Sequence, residues 1–334
     1  MRISGDLQST LSDPLQREID LPFQRAYYPH GFRLDLASNS REVHDAAEEH
    51  WGMYKTTYEA MHEGMDQPEC ELPPLTVRVL VQPGGELSPP PVHRMQGHLY
   101  SAVASRENYA VVDFDALFGY AWVTERTVAD HTWFRWFYLD MLAGASLAQR
   151  HVVPMHAACV EKNGVGVLLW GPSGMGKSTL AYACARAGWT FVADDATILP
   201  QNRVDCAVTG KPHQARFREN APSLFPELDG YATRARPTGK LSIEVPMNTL
   251  PGIRTAVRCA VNRMVFLDRG KPGGLESIGV ETALEQMMQN SHSYSPETTA
   301  RHEKALRRLL RAPSYRLRYE RMQDAVEALV SLTL

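Results

Sequence analysis

The sequence predicts an α/β protein whose C-terminal half is built on a mixed β-sheet and whose N-terminal half is α+β. The first observation is an apolar run, 165–170, followed by a glycine-rich loop and by a run of helix formers, 180–187. The second is an N-terminal half in which alternating apolar and polar residues predict several strands around a few helices. The third is a series of shorter candidate strands after residue 200, which argues against a regular doubly wound sheet.

Composition narrows the class of protein. A length of 334 residues suggests about two domains with a sizeable core. The 35 basic and 38 acidic residues nearly balance, so nothing indicates a nucleic acid or an anionic membrane as partner. No apolar run approaches the length of a membrane span, and the polar residues 1–16 predict no secretory leader. Scattered cysteines without metal-binding spacing predict reduced thiols in a cytoplasmic protein, namely Cys70, Cys159, Cys184, Cys206 and Cys259.

The N-terminal half, 1–150, is predicted to be a domain with an antiparallel sheet and one or two helices. Residues 75–81 alternate apolar and polar side chains most cleanly and predict a strand. Ser40 and Asp130 are suitable N-cap residues for the two helices. In chain order the expected elements are a strand at 31–36, a helix at 41–54, strands at 75–81, 98–104, 109–114 and 118–124, and a helix at 131–147.

The C-terminal half, 151–334, is predicted to be a second domain with a boundary near residue 150. The expected strands are 155–160, 165–170, 188–193, 215–218, 241–245 and 260–267, and the expected helices are 180–187, 280–290, 296–311 and 323–332. Strands that cluster after residue 188 and helices that cluster near the C-terminus do not alternate regularly. This order predicts a mixed rather than an all-parallel sheet.

The motif of greatest weight is the sequence GxxxxGKS between the strand at 165–170 and the helix that follows. Glycines allow successive backbone N–H groups to point at one anion, and the helix N-terminus adds a partial positive charge. The lysine supplies a full charge near a terminal phosphate, and the hydroxyl of the next residue is placed to bind Mg²⁺. The motif therefore predicts a site for ATP and Mg²⁺, formed by Gly171, Pro172, Ser173, Gly174, Met175, Gly176, Lys177, Ser178 and Thr179.

A second feature is the acidic pair Asp194 and Asp195 at the end of the apolar run 188–193. A carboxylate at the C-terminal end of a strand beside a phosphate-binding loop lies where Mg²⁺ and an attacking hydroxyl would meet. Asp194 follows Lys177 by seventeen positions, a short spacing that favours a kinase-like site over motor or transporter ATPases. Adjacent strand residues point to opposite faces, so either a turn or bulge brings both acids to the site or only one serves. The alternative is a solvated strand end or a helix cap.

The stretch from His156 to Asp195 resembles the catalytic domain of HPr kinase/phosphorylase and the related HPr-kinase-like serine kinases. That family shows a histidine, fifteen residues to the first glycine of GxSGxGKS, then a helix, an RG pair and the sequence ADD. Here the same order is His156, the loop from Gly171, Arg186-Ala187-Gly188 and Ala193-Asp194-Asp195. The resemblance implies a fold related to phosphoenolpyruvate carboxykinase. It also implies phosphoryl transfer from ATP, or in some relatives another donor, to a serine-type hydroxyl.

The resemblance also implies roles for individual residues. Asp194 would be the base that accepts the hydroxyl proton, and Lys177 would bind the transferable phosphate. Ser178 and Asp195 would hold Mg²⁺. His156 would support the phosphate or the acceptor side. The resemblance further implies a homo-oligomer.

The sequence departs from the family in two places. Thr179 stands where HPr kinases usually carry an acid, and the downstream EIRGLGI-like stretch is absent. In the nearest region, 214–219, Glu219 is a candidate for the further metal-binding acid. Arg216 and Arg218 there are candidates for clamping a phosphate or an anionic acceptor, with a solvated strand face as the alternative. Lys240, in a segment that also resembles those relatives, is a candidate to reach the site.

The resulting hypothesis is an ATP- and Mg²⁺-dependent kinase that acts on a hydroxyl of a protein serine or of a small molecule and releases ADP. Residues 1–150 would select the acceptor or regulate access, and residues 151–334 would form the kinase domain. A non-catalytic nucleotide-binding switch and an ATPase that powers a partner are the alternatives. Asp194 argues against the switch, which needs no base. The absence of transporter and motor signatures argues against the ATPase.

Overall fold

The computed structural model describes residues 20–62, 73–201, 203, 205–235, 241–289 and 295–334. The protein is a mixed α/β protein that divides into two compact units, Met1–Gln149 and Arg150–Leu334. In the described part of the chain, no helix is both long enough and apolar enough to cross a membrane. The functional roles predicted for the two halves stay predictions.

The described residues of the first unit form a seven-stranded sheet. Its strands are β1 (Phe23–Tyr27), β2 (Leu34–Ser38), β3 (Leu75–Gln82), β4 (Val92–Gln96), β5 (Leu99–Val103), β6 (Tyr109–Asp113) and β7 (Phe118–Thr124). The strand order is β1-β2-β3-β7-β6-β5-β4. The helical segments are α1 (Arg41–Trp51), α2 (Lys55–His62), α3 (Glu125–Ala129), α4 (His131–Phe134), two π-helical turns (Arg135–Leu139 and Met141–Ala145) and α5 (Ser146–Arg150).

The prediction of an antiparallel N-terminal sheet is wrong for its centre. Strands β2, β3 and β7 run parallel to one another, whereas β4 to β7 form the expected antiparallel meander. Helices α1 and α2 lie between β2 and β3 in sequence, and a connection of that length lets the chain return and run in the same direction. Strands β1 and β4 were not predicted, and β4 is mostly exposed and therefore shows no apolar alternation.

Helix α1 shows why the local predictions in this unit succeed. Its buried side chains recur at helical spacing and form one face, namely Val43, Ala46, Ala47, His50 and Trp51. The helix packs on β1 and β2, which bury Leu34 and Leu36. Ser40 occupies the N-cap position but makes no side-chain capping bond, whereas the Asp130 carboxylate accepts from the Trp133 N–H at 3.0 Å as predicted.

The described residues of the second unit contain a ten-stranded mixed sheet and a three-stranded sheet. The strands are β8 (Val152–Met155), β9 (Ala157–Lys162), β10 (Val165–Trp170), β11 (Thr190–Ala193), β12 (Thr197–Pro200), β13 (Ala207–Thr209), β14 (Gln214–Arg218), β15 (Thr233–Ala235), β16 (Leu241–Pro246), β17 (Arg254–Thr255), β18 (Arg258–Arg269), β19 (Leu275–Ser277) and β20 (Ser314–Tyr319). The helices are α6 (Lys177–Arg186), α7 (Val280–Met288), α8 (Pro296–Leu309) and α9 (Met322–Ser331).

Strand β10 lies in the middle of the large sheet, antiparallel to β9 and parallel to β18, so the predicted mixed sheet is confirmed. Val167 and Leu169 pack in one apolar cluster with residues of α6 and α9. Leu168 and Trp170 pack in a second cluster with residues of α7 and α8. Because both faces of β10 are covered, the strand is apolar throughout rather than alternating.

Several details of the second unit differ from the prediction, and the short strands β12, β13, β15, β17 and β19 were not predicted. The single strand expected at 155–160 is two strands, because β8 ends at Met155 and β9 begins at Ala157. His156 therefore lies at the junction between strands and not inside one. Strand β20 was not predicted, since arginines interrupt its apolar residues, although it buries Leu317 and Tyr319 beside β18.

His151 predicts a pH-dependent stability. Burial, assisted by the charge of Arg150, lowers the pKa of this imidazole from 6.5 to about 4. Protonation is therefore easier in the unfolded chain, and the stabilisation present above pH 6.5 is lost as the pH falls toward 4. Between pH 7 and pH 5 the wild type should lose about 2 kcal/mol more unfolding free energy than His151→Gln. Urea unfolding of both proteins at the two pH values measures this, and parallel losses would contradict it.

Candidate phosphate-binding loop and acidic pair

The glycine loop, residues 171–176, connects the end of β10 to the start of α6. Gly174 and Gly176 have φ values of 93° and 89°, in the left-handed region that favours glycine. Gly176 is the N-cap residue of α6, so the loop ends where the N–H groups of the helix are free. The predicted loop context of strand, glycine turn and helix is therefore present, with the motif glycines at the turns that need them.

The Lys177 ammonium lies over the first residues of the glycine loop. Its Nζ donates to the carbonyl of Gly171 at 2.7 Å and to that of Pro172 at 3.3 Å, and the residue is 5% exposed. Burial lowers the pKa of Lys177, against the opposing charges of Asp195 and Asp194. Within the part of the chain that is described, this buried cation forms hydrogen bonds to neutral carbonyls and no ion pair, so a bound anion would stabilise it, as the motif predicts.

The acidic pair lies beyond the end of β11, where the strand pairing is irregular. The register between β11 and β9 shifts between Phe191 and Ala193, and β11 ends at Ala193. Because both acids lie after the last residue of β11, the alternation of side chains along a strand does not apply to them. Asp194 is buried at 8% exposure, whereas the Asp195 side chain is 37% exposed.

Two hydrogen bonds hold Asp194 in place, one at its carboxylate and one at its backbone carbonyl. Its Oδ2 accepts from the N–H of Arg216 at 2.8 Å, and its carbonyl accepts from the Ser178 hydroxyl at 3.3 Å. Burial, followed by the charge of Asp195, raises the pKa of Asp194 to about 6. This carboxylate is therefore mainly ionised at pH 7 and basic enough to accept a proton from a hydroxyl during reaction.

His156 joins the acidic pair through Asp195. Its Nδ1 lies 2.8 Å from Asp195 Oδ1, with the imidazole 45% exposed. Such a contact orients the Asp195 carboxylate, in the way that imidazoles and carboxylates support one another in metal sites. One hydrogen bond thus links Ser178 to Asp194, and the 2.8 Å contact links His156 to Asp195. The role of His156 toward a phosphate or acceptor stays a prediction.

Three further residues lie near the glycine loop, and two of them add to the predicted set. The Tyr319 hydroxyl donates to the Met175 carbonyl at 3.0 Å. A Cβ atom on Gly176 would lie 3.6 Å from Arg269 Nη1, and one on Gly174 would lie 4.0 Å from Arg218 Nη2. Arg218 was a candidate, but Arg269 and Tyr319 were missed. The available signal for Arg269 was its position just after the apolar run 260–267, since neighbouring parallel strands end at one edge.

The other residues predicted for the site already have a charged partner, are exposed, or lie outside the described residues. Arg216 forms an ion pair with Glu244 at 3.1 Å. Glu219 is exposed just beyond the end of β14, and Lys240 lies outside the described residues. Among the residues described, no group of three or more histidine, cysteine or acidic side chains forms a metal site. Ser178 and Asp195 supply one hydroxyl and one carboxylate, a donor set that suits Mg²⁺ bound mainly by phosphates and water.

Gly210 is required by the strand that leads to the acidic pair. A Cβ atom there would lie 2.1 Å from the Val192 carbonyl oxygen and 2.8 Å from the Ala193 Cβ. Gly210→Ala should therefore destabilise the protein by about 1–3 kcal/mol in urea unfolding. Gly274→Ala is the control, because an added Cβ meets nothing within 4 Å there, and it should change stability by less than about 0.5 kcal/mol. Equal effects in the two variants would refute the crowding at Gly210.

Comparison with known proteins gives limited similarity. A family model described as "SynChlorMet cassette protein ScmC" matches residues 128–219, less than half of the chain, and this segment includes the glycine loop and the acidic pair. No curated protein matches. Among solved structures, the chain is similar to the Hpr(Ser) kinase/phosphatase from Coxiella burnetii, at 12% identity and a TM-score of 0.29, over 54% of this chain and 89% of that one. At this identity and TM-score, the similarity adds nothing to the chemistry inferred from the residues.

Proposed function

We propose that this protein is an ATP- and Mg²⁺-dependent kinase that transfers the terminal phosphate of ATP to a hydroxyl group. The hydroxyl belongs to a serine of a protein or peptide, or to a small molecule. The observation that carries the proposal is the buried Asp194 carboxylate, held by the Arg216 N–H, with its own carbonyl bonded to Ser178 of the loop motif. A buried carboxylate beside the loop motif supports the proposal, because phosphoryl transfer to a hydroxyl needs a group that accepts the hydroxyl proton.

In the proposed reaction Asp194 accepts the proton of the acceptor hydroxyl. The hydroxyl oxygen forms a bond to the terminal phosphorus as the bond between that phosphorus and the bridging oxygen breaks. The electron pair of the broken bond leaves with ADP. Lys177 and the N–H groups of the glycine loop bind the phosphate oxygens and hold them in line for attack.

Ser178 and Asp195 are the residues that would hold Mg²⁺, which neutralises charge on the nucleotide phosphates when bound. Asp195 supplies the carboxylate, and the contact of its Oδ1 with His156 Nδ1 keeps that carboxylate oriented. The sequence resemblance to HPr-kinase-like serine kinases supports the same assignments. The proposal also includes acceptor selection or regulation of access by residues 1–150 and a cytoplasmic location, which the scattered cysteines predict. It further includes a homo-oligomer, which the resemblance implies.

The two alternative functions, a nucleotide-binding switch and an ATPase, require different roles of Asp194. A nucleotide-binding switch needs a phosphate loop and a metal ligand, but it has no use for a second, buried carboxylate with a raised pKa. An ATPase that powers a partner could use Asp194 to activate water. The raised pKa and the burial of Asp194 therefore favour catalysis over a switch, while the acceptor distinguishes kinase from ATPase.

Labelled ATP separates the three functions. The wild-type protein, incubated with γ-labelled ATP, Mg²⁺ and either a cell lysate or a metabolite pool, should transfer label to a hydroxyl-bearing acceptor. Release of inorganic phosphate at the same rate with and without acceptor would indicate the ATPase. Binding of ATP with neither transfer nor hydrolysis would indicate the switch and would overturn the proposed kinase.

A further inference from the structure

Two arginines outside the motif reach the glycine loop at different residues. Arg218 Nη2 lies 4.0 Å from the Cβ position of Gly174, and Arg269 Nη1 lies 3.6 Å from that of Gly176. Both residues are exposed, and neither forms an ion pair within the described residues. Their neighbours are engaged, since Arg216 pairs with Glu244 and Arg318 pairs with Glu276 at 3.0 Å. The two guanidinium groups at the loop are therefore available to an anion.

Arg269 is placed beside the helix end of the glycine loop by the sheet. It is the last residue of β18, which runs parallel to β10, so both strands end at the same edge. Its Cα partner in β20 is Tyr319, whose hydroxyl donates to Met175 of the loop at 3.0 Å. The guanidinium thus lies close to the N-terminus of α6, where the loop and helix N–H groups converge.

Arg218 is placed by the strand that also holds the candidate base. It ends β14, two residues after Arg216, whose N–H donates to Asp194. Arg218 approaches Gly174, whereas the Lys177 ammonium donates to the carbonyls of Gly171 and Pro172, three and two residues earlier in the same loop. Arg218 therefore approaches the glycine loop on the side of Gly176 from which the loop begins, and Arg269 approaches it at the helix end.

We infer that Arg218 and Arg269 clamp the phosphate chain of the nucleotide at two points with different consequences. Arg269 binds the inner phosphates that ATP and ADP share. Arg218 binds the terminal phosphoryl group and stabilises the charge that develops on it during transfer. Guanidinium groups suit this task because they offer several N–H donors in a planar fork that matches phosphate oxygens. The role of Arg218 in phosphoryl transfer rests on the proposed function, whereas the binding of nucleotide phosphates by the two arginines does not.

The test compares Arg218→Ala, Arg218→Lys and Arg269→Ala with Arg311→Ala, an exposed arginine of the same unit. Equilibrium titration with Mg-ATP and with Mg-ADP gives the two affinities. Arg269→Ala should weaken ATP and ADP alike, by about tenfold or more. Arg218→Ala should leave ADP affinity within about twofold of wild type and weaken ATP binding. Arg311→Ala should change neither.

Single-turnover transfer at saturating ATP gives the second readout. Arg218→Ala should lower the rate by about 1000-fold, the scale of an arginine that stabilises the transferred phosphoryl group. Arg218→Lys should restore little of that rate, because an ammonium cannot reproduce the fork. Arg269→Ala should lower this rate much less than Arg218→Ala does, because its loss falls mainly on nucleotide affinity. An unchanged melting temperature in each variant shows that the fold is intact.

The possible failures are distinguishable. Unchanged ATP and ADP affinities in Arg269→Ala, or equal weakening of ATP and ADP in Arg218→Ala, would overturn the clamp. Normal transfer by Arg218→Ala would also overturn the clamp while leaving the kinase intact. If the wild type transfers nothing and hydrolyses nothing, the proposed kinase fails. In that case the affinities of Arg218→Ala for ATP and for ADP still test whether the two arginines bind the nucleotide phosphates.

Discussion

Asp194→Asn is expected to lower the rate of phosphoryl transfer by about 10²–10⁴-fold and to leave ATP bound. The amide oxygen of asparagine can still accept the Arg216 N–H bond, so the local structure has no reason to change. An amide cannot accept the hydroxyl proton as a carboxylate does. The loss should therefore appear in kcat, measured by label transfer from γ-labelled ATP, and not in the dissociation constant of ATP.

The matched control for this substitution is Asp229→Asn. Asp229 is exposed in the same unit, and its carboxylate only caps the Gly230 N–H at 3.0 Å. This variant should transfer phosphate at the wild-type rate. Normal transfer by Asp194→Asn would show that Asp194 is not the base. A loss of ATP affinity as large as the loss of rate would assign Asp194 to binding instead.

Lys177→Ala should weaken ATP binding by roughly 100-fold, the scale of removing a charged hydrogen-bond donor from a buried site. Within the described residues, the Lys177 ammonium donates to the carbonyls of Gly171 and Pro172 and forms no ion pair, and the residue is 5% exposed. A phosphate group would add a directly bonded opposite charge to the attraction of Asp195 and Asp194. Isothermal titration with Mg-ATP measures the change.

Lys304→Ala is the control for the lysine substitution, since Lys304 is an exposed residue of α8 in the same unit. Its ATP affinity should equal that of the wild type. Thermal unfolding of both variants separates loss of binding from loss of fold. An ATP affinity that is unchanged in Lys177→Ala would contradict the assignment of the glycine loop to nucleotide phosphates.

The glycine loop could be predicted because its signal is local. An apolar strand, glycines at turning points and a helix with Lys177 in its first turn are adjacent in the chain, and each follows from short-range patterns. The same holds for α1, whose buried stripe repeats at helical spacing. The parallel pairing of the central strands in the first unit was not predictable in this way. The direction of a strand depends on the path that a long connection takes back to the sheet.

The contacts around the acidic pair depend on residues that are distant in sequence. Asp194 bonds Arg216 across 22 positions, and Tyr319 bonds Met175 across 144. Arg269 reaches Gly176 only because β18 lies beside β10 in the sheet. No periodicity or motif specifies these pairings, so Arg269 and Tyr319 were missed and the partner of His156 was not foreseen.

The sequence by itself determined the chemical inventory of the candidate site: the glycine loop, Lys177, Ser178, the acidic pair and the positions of the strands and helix that carry them. These features depend on side-chain type and on short spacings, both of which are read directly from the sequence. Only the tertiary structure decided the surroundings of each group. It buried Asp194, paired His156 with Asp195 and brought two arginines to the loop, because burial and charge pairing arise from strands that meet only in the folded sheet.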